Sequence, residues 1–193
     1  MRTGRKKMIQ TIISNNCAGG AILHDLGMEF KTPTINLQIL PEQYAMFCRS
    51  LPYYLKSQLT EAKNFTPFEE TMLRKMFGGV PDMPIGLLDG FILVCFQHYP
   101  TFEEAKAKWE ERKKKVDYEH IGHIFHARGP EYKEEAELFM KLDLPNKLCL
   151  TQGFDVDGTV RFDGEGFEAV NGKLRITQVY DFRRWVNEKD HTL

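Results

Sequence analysis

Cys17 and His98 are the side chains of this sequence whose types and settings could support nucleophilic chemistry. Cys17 lies in Ser14-Asn-Asn-Cys-Ala-Gly-Gly20, directly after an apolar run of strand character from Met8 to Ile13. A thiol in the first turn of a helix has its thiolate stabilised by the helix dipole and by unpaired backbone N–H groups. Its pKa can then fall below the usual ~8.5. Asn15, Asn16 and Gly19 could supply donors to an oxyanion or a phosphate, Ser14 could hold the turn, and Gly20 lets backbone come close to a ligand. The same residues have a plainer account, in which Cys17 is a small hydrophobe closing a strand–helix joint and Ser14, Asn15 and Asn16 cap the helix.

His98 stands in Gln97-His-Tyr-Pro100, just past the unbroken apolar run Phe91–Phe96. Ligand-facing side chains collect at the carboxyl ends of parallel strands. If the Met8–Ile13 and Phe91–Phe96 strands are neighbours, Cys17 and His98 reach one crevice, with Gln97 and Tyr99 beside them, and cysteine–histidine catalysis becomes geometrically reasonable. Alternatively His98 orients the Pro100 turn. Arg128, at the end of another strand-like run, could meet a carboxylate or phosphate. His123 and His126 lie three apart on that run, so strict alternation sends them to opposite faces and argues against paired metal ligation. His24 and Asp89 read as a helix-surface or packed side chain and a turn former.

No dinucleotide fingerprint, Walker loop, serine nucleophile elbow or HExxH is present. Asp155, Asp157, Asp163 and Glu165 invite a calcium reading. Counting from Asp155, however, the twelfth position is Gly166, where an EF-hand needs glutamate. No metal is expected, and no cofactor is assigned.

The elements that must position these residues alternate. The Cys17–Glu29 stretch reads as a helix, and Thr34–Leu40 as a second strand completing a β-α-β start. Pro41 opens a helix interrupted at Pro52. Thr66-Pro-Phe-Glu69 is a capping box for another, and Thr101–Val116 is an amphipathic helix with favourable Glu–Lys pairs. Its basic end reads chiefly as a solvated face. Ile121–His126 and Lys147–Leu150 read as strands around a helix that starts at Pro130. Residues 152–177 are Gly- and Asp-rich with an Asn171-Gly172 turn signal, and residues 180–188 form a short C-terminal helix. The expected fold is α/β, a three-layer α/β/α arrangement with a mostly parallel sheet and a small antiparallel C-terminal edge extension, in one domain over residues 1–193.

At 193 residues, 42% hydrophobic and 27% charged, the chain has the composition of a soluble globular protein. A net charge of -1 gives no electrostatic case for nucleic acid as a partner. No apolar run approaches the ~18 residues of a membrane helix. Four widely spaced cysteines without a CxxC pair point to reduced thiols and a cytoplasmic protein.

Three blocks together resemble the bacterial DUF1919 family of uncharacterised proteins. They are Ile13-Ser-Asn-Asn-Cys-Ala-Gly-Gly20, Met83-Pro-Ile-Gly-Leu-Leu-Asp89, and Phe96-Gln-His-Tyr-Pro-Thr-Phe-Glu-Glu-Ala105 with its continuation to Lys115. Some members of the family are labelled exopolysaccharide or capsular polysaccharide biosynthesis proteins. The motif blocks fall on Ser14, Asn15, Asn16, Cys17, Gly19, Gly20, His98, Tyr99, Trp109 and Arg112, whereas Ile121–Gly129 departs from the family pattern. The resemblance implies a role in surface-polysaccharide assembly. The expectation is a transferase modifying a sugar or sugar-nucleotide substrate, with an acyl or phosphoryl donor and an association with polysaccharide-assembly enzymes. The competing expectation is a non-catalytic nucleotide- or sugar-binding factor, so whether the protein is an enzyme stays open.

Overall fold

The computed structural model of the protein describes residues 9–187. Met8, the basic residues before it and Glu188, expected to start the first strand and end the last helix, lie outside the described residues. In chain order the elements are β1 (Thr11–Ser14), α1 (Ala18–Asp25), β2 (Gln38–Ile39), α2 (Pro41–Arg49), α3 (Leu51–Lys56), β3 (Leu59–Glu61), α4 (Pro67–Phe77), β4 (Ile85–Leu88) and β5 (Ile92–Cys95). They continue with α5 (Phe102–Lys113), β6 (Ile121–Ala127), α6 (Lys133–Lys141), β7 (Lys147–Gln152), β8 (Val160–Phe162), β9 (Ala169–Val170), β10 (Lys173–Leu174) and α7 (Phe182–Asn187). No helix among the described residues is long and apolar enough to cross a membrane.

The fold is α/β. A four-stranded parallel sheet has the order β1-β6-β7-β8, a four-stranded antiparallel sheet has the order β2-β5-β4-β3, and β9-β10 is a separate hairpin. Alternation builds the layers. In the parallel sheet Ile13, Phe125 and Cys149 face one core with α2 and α6, while Ile12, Ile124, Leu148 and Leu150 face another with α1 and α7. Of the run Phe91–Phe96, Ile92 to Phe96 are buried as the composition suggests, whereas Phe91 is exposed. Ile92 and Val94 join the first core, and Leu93 and Cys95 join a third beneath α4.

Local chemistry sets many element ends. Thr66 and Glu69 form the capping box that starts α4, and Thr101 accepts a hydrogen bond from the Glu104 N–H at the start of α5. Asn171 and Gly172 both have positive φ, 52° and 80°, as a tight hairpin between β9 and β10 requires.

Two pairings differ from the sequence expectation. The Thr34–Leu40 stretch contributes only Gln38–Ile39, which pairs antiparallel with β5 and not parallel with β1. Pro33 and Asn36, the latter at φ 59°, bend the chain before it can lie down as a long strand. Instead this segment is fastened to β1 mostly through side chains. Thr11 Oγ1 donates to Lys31 O at 3.0 Å, and the Ser14 N–H donates to Thr34 Oγ1 at 3.1 Å. The Ile39 N–H closes the join by donating to Asn15 O at 2.7 Å. β5, whose adjacency to β1 was the condition for a shared Cys17–His98 crevice, belongs to the antiparallel sheet, and the neighbour of β1 is β6. β8 pairs parallel with β7, so the antiparallel part of the C-terminal region is the β9–β10 hairpin.

Candidate functional site

The joint between β1 and α1 is built from buried polar side chains. Asn15 is fully buried, and its amide Nδ2 donates to His126 O at 3.1 Å while its Oδ1 accepts from the His126 N–H at 2.9 Å. The side chain thus takes the place of one more rung beyond the end of β1, satisfying both backbone groups of a buried residue on β6. Asn16 Oδ1 accepts from the Ala18 N–H at 3.0 Å, which turns its Nδ2 toward His126 Nδ1 at 3.1 Å. That orientation makes His126 Nδ1 an acceptor and leaves the proton on Nε2. Ser14 Oγ accepts from the Asn16 N–H at 3.4 Å. Ser14, Asn15 and Asn16 therefore form the wall behind the joint.

Gly19 sits against that wall. A Cβ there would lie 2.7 Å from Ser14 Cβ, an atom fixed to the strand backbone. Gly19→Ala is expected to lower stability by about 1–3 kcal/mol even though alanine is the better helix former, because α1 must lift off β1. Urea denaturation checks it; an unchanged midpoint would show that the helix shifts freely.

In front of the wall lies a cleft of about 720 Å³. It runs along α1, lined there by Cys17, Gly20, Ala21, His24 and Asp25. Its other sides come from Phe30, Ile35 and Asn36, from His98 and Arg112, and from Phe167 with the β9–β10 hairpin. Cys17 and His98 are thus brought to one cleft, although their strands are not neighbours. β2 makes the connection, since Ile39 pairs with Val94 of β5 and also bonds to Asn15 at the end of β1.

Cys17 is half-buried, and its thiol donates to Gln97 Oε1 at 3.3 Å. Burial raises its pKa; contacts with the backbone of Cys17 and Leu37 and the positive charge of Arg128 act downward without cancelling it. The lowering considered from the helix dipole is outweighed by desolvation. His98 is exposed. Tyr99 does not line the cleft but supports it: Arg112 Nη1 donates to its hydroxyl at 2.8 Å, and the hydroxyl reaches Ile35 O at 3.5 Å. Arg128 is not among the lining residues, and its guanidinium stands 5.7 Å from the Phe167 ring centroid.

Sequence reasoning did not select Arg112, Asp25, Phe30, Phe167 or Lys173 for the site. Arg112 was present in the basic run of α5 and in the family motif blocks, but nothing local distinguishes it from the lysines around it. The hairpin was legible as a hairpin; its docking over α1 depends on contacts some 150 residues away in sequence. There Lys173 Nζ meets Asp25 Oδ1 at 2.7 Å. The Asp-rich turns are engaged elsewhere, with Arg161 paired to Asp155 at 2.7 Å and to Asp163 at 3.3 Å.

A parallel sheet with a ligand-sized cleft opening beside the carboxyl end of one strand is the arrangement by which many α/β proteins bind small molecules. Within that class the chain belongs to the family described as a domain of unknown function, DUF1919, which matches residues 2–191. An uncharacterized protein of Haemophilus influenzae is similar to it, 26% identical over 191 residues, spanning 97% of this chain and 84% of the relative.

Proposed function

We propose that this protein binds a sugar or sugar-nucleotide in the cleft beside Cys17 and transfers an acyl or phosphoryl group onto it, as a cytoplasmic step in the assembly of a surface polysaccharide. The observation that carries the reading is that Cys17 and His98, contributed by distant segments, line one cleft of about 720 Å³. In the transfer, the acceptor hydroxyl oxygen bonds to the acyl or phosphoryl centre of the donor, and its proton passes to the His98 imidazole. The donor's leaving group departs with the electron pair of the bond that breaks. Because burial raises the Cys17 thiol, Cys17 acts here as a neutral hydrogen-bonding group and not as a standing thiolate. Association with other polysaccharide-assembly enzymes would supply the donor.

The raised thiol pKa, together with an exposed His98, also favours a second reading in which the cleft binds its ligand without chemistry. Polymer production in a deletion strain complemented with variants separates the two. His98→Ala is expected to cut production by about 100-fold, the usual size of a general-base loss, and Cys17→Ser by much less. Full production with His98→Ala would sink the transfer mechanism, and retained ligand binding by that variant would favour the binding reading. Iodoacetamide labelling of Cys17 should be slow at neutral pH and still rising at about pH 9.

A further inference from the structure

We propose that Arg112 is the anion anchor of the cleft and that the ligand is recognised there through a phosphoryl group. This deepens the sugar-binding reading above and rests on the same cleft. Several cations near the end of α5 are paired with carboxylates of the same helix. Lys108 pairs with Glu111 at 2.9 Å, Lys113 with Glu110 at 2.7 Å, and Lys115 with Glu111 at 3.5 Å. Arg112 is turned the other way. It is half-buried and lines the cleft, and among the described residues no carboxylate forms an ion pair with it.

Its hydrogen bond from Nη1 to the Tyr99 hydroxyl, at 2.8 Å, holds the side chain without consuming its charge. Tyr99 is itself fixed, edge-on to Phe96 with ring centroids 5.7 Å apart and with its hydroxyl directed at Ile35 O. A guanidinium has five N–H donors in a planar fork, and one of them is occupied by Tyr99. The remainder suit the bidentate geometry of a phosphate or carboxylate oxygen pair.

The rest of the cleft sharpens the choice. Lys173 is neutralised by Asp25, so among the described residues Arg112 is left as the uncompensated formal charge of the lining. His24 and His98 add ring nitrogens that can donate to further oxygens. Phe30, Ile35 and Phe167 give an apolar floor that a bare inorganic ion would not use. A single fixed cation beside apolar surface and neutral donors fits a phosphate carried on a sugar or nucleoside. Arg128, which could have met that phosphate on sequence grounds, is instead stacked by Phe167 outside the lining.

The test titrates the full chain with glucose 1-phosphate, uridine diphosphate glucose, inorganic phosphate and uncharged glucose, followed by calorimetry and by the Arg112 side-chain N–H signals. Phosphorylated sugars are expected to bind at least tenfold more tightly than glucose, with affinity falling as salt is added. Arg112→Gln should lose about tenfold or more of that affinity and flatten the salt dependence, while glucose binding is unchanged. Arg112→Lys keeps the charge without the fork and should fall between, and Tyr99→Phe should weaken phosphate binding by releasing the side chain. Thermal unfolding of each variant separates lost folding from lost binding. If glucose binds as tightly as its phosphate, or Arg112→Gln binds like the parent, the anchor is overturned while the sugar cleft stands. Arg112-dependent phosphate binding without any transfer would uphold the anchor and overturn the transferase reading. Binding of inorganic phosphate alone, or of none of the probes, overturns both.

Discussion

Replacing Asn15 by alanine is expected to destabilise the protein by about 3–5 kcal/mol, the largest loss of any single substitution at the joint. The Asn15 amide satisfies both the N–H and the C=O of His126, and both residues are essentially inaccessible to water. Alanine leaves that donor and acceptor buried without partners, at about 1–3 kcal/mol each, and adds a small cavity. The adjacent amide cannot take over, because Asn16 is already committed to the Ala18 N–H and the His126 ring. Against a typical total of about 5–15 kcal/mol, the loss would put the variant close to unfolding at physiological temperature. Asn16→Ala is the useful comparison. It leaves the Ala18 N–H and the His126 Nδ1 without partners, but a helix-start N–H and a ring that can change tautomer adjust more readily than a paired strand backbone, so it should cost less, about 2–3 kcal/mol. Urea denaturation of the two variants checks the ranking. A loss below about 1 kcal/mol for Asn15→Ala would mean that water replaces the amide and that the joint is not the clamp described.

The contrast between Asn15 and Cys17 shows what could be read from the sequence and what could not. Elements governed by neighbours a few residues apart were legible: the Thr66–Glu69 capping box, the Thr101 start of α5 and the Asn171-Gly172 hairpin. The doubly buried character of the Phe91–Phe96 run was legible for Ile92–Cys95, but the exposure of Phe91 was not. Pairing was not, because partner choice depends on which faces meet in the cores. β2 and β5 join an antiparallel sheet, and the central parallel strand is β6, whose Gly122 and two histidines make it look less apolar than its neighbours. Yet all seven of its residues are buried, and Gly122 is needed there since a Cβ would come within 2.7 Å of the Trp185 ring. In the sequence a shared cleft for Cys17 and His98 is conditional on the first strand and the Phe91–Phe96 strand being neighbours; they are not, and the short β2 bridge brings both residues to one cleft instead. From the sequence, Asn15 and Asn16 read as possible oxyanion donors. Their long-range partner, His126, could not be seen from sequence separations of 110 and 111 residues.

That partner carries the second large expectation: the protein should unfold in mild acid, before most carboxylates are protonated. Burial holds the His126 pKa down to about 3, with the Arg128 charge acting in the same direction. Burial likewise holds His123 at about 4, partly opposed by its hydrogen bond to Pro145 O. Protonating His126 would place a proton on Nδ1, where the Asn16 amide already donates, and a charge between the rings of Phe162 and Phe167, whose centroids lie 5.6 and 5.8 Å away. The folded pKa values lie below the unfolded value of about 6.5, so between about pH 6.5 and 4 the unfolded chain binds protons that the folded chain refuses. Stability is therefore fully present above about pH 7, declines as pH falls through about 6.5, and keeps declining until the folded values are reached. Two such groups give a slope of up to about 3 kcal/mol per pH unit, or several kcal/mol by about pH 4.5. That is comparable to the whole stability of a domain this size. The fluorescence of Trp109 and Trp185, both buried, should report a cooperative transition near about pH 4–5. Urea unfolding at a series of pH values tests the cause, because His126→Gln should roughly halve the slope between about pH 6 and 5 even if it lowers stability at neutral pH. A stability that stays flat from about pH 7 to 5 would show that water or a moving side chain reaches these rings, and that the imidazole behind the Cys17 joint is free to charge.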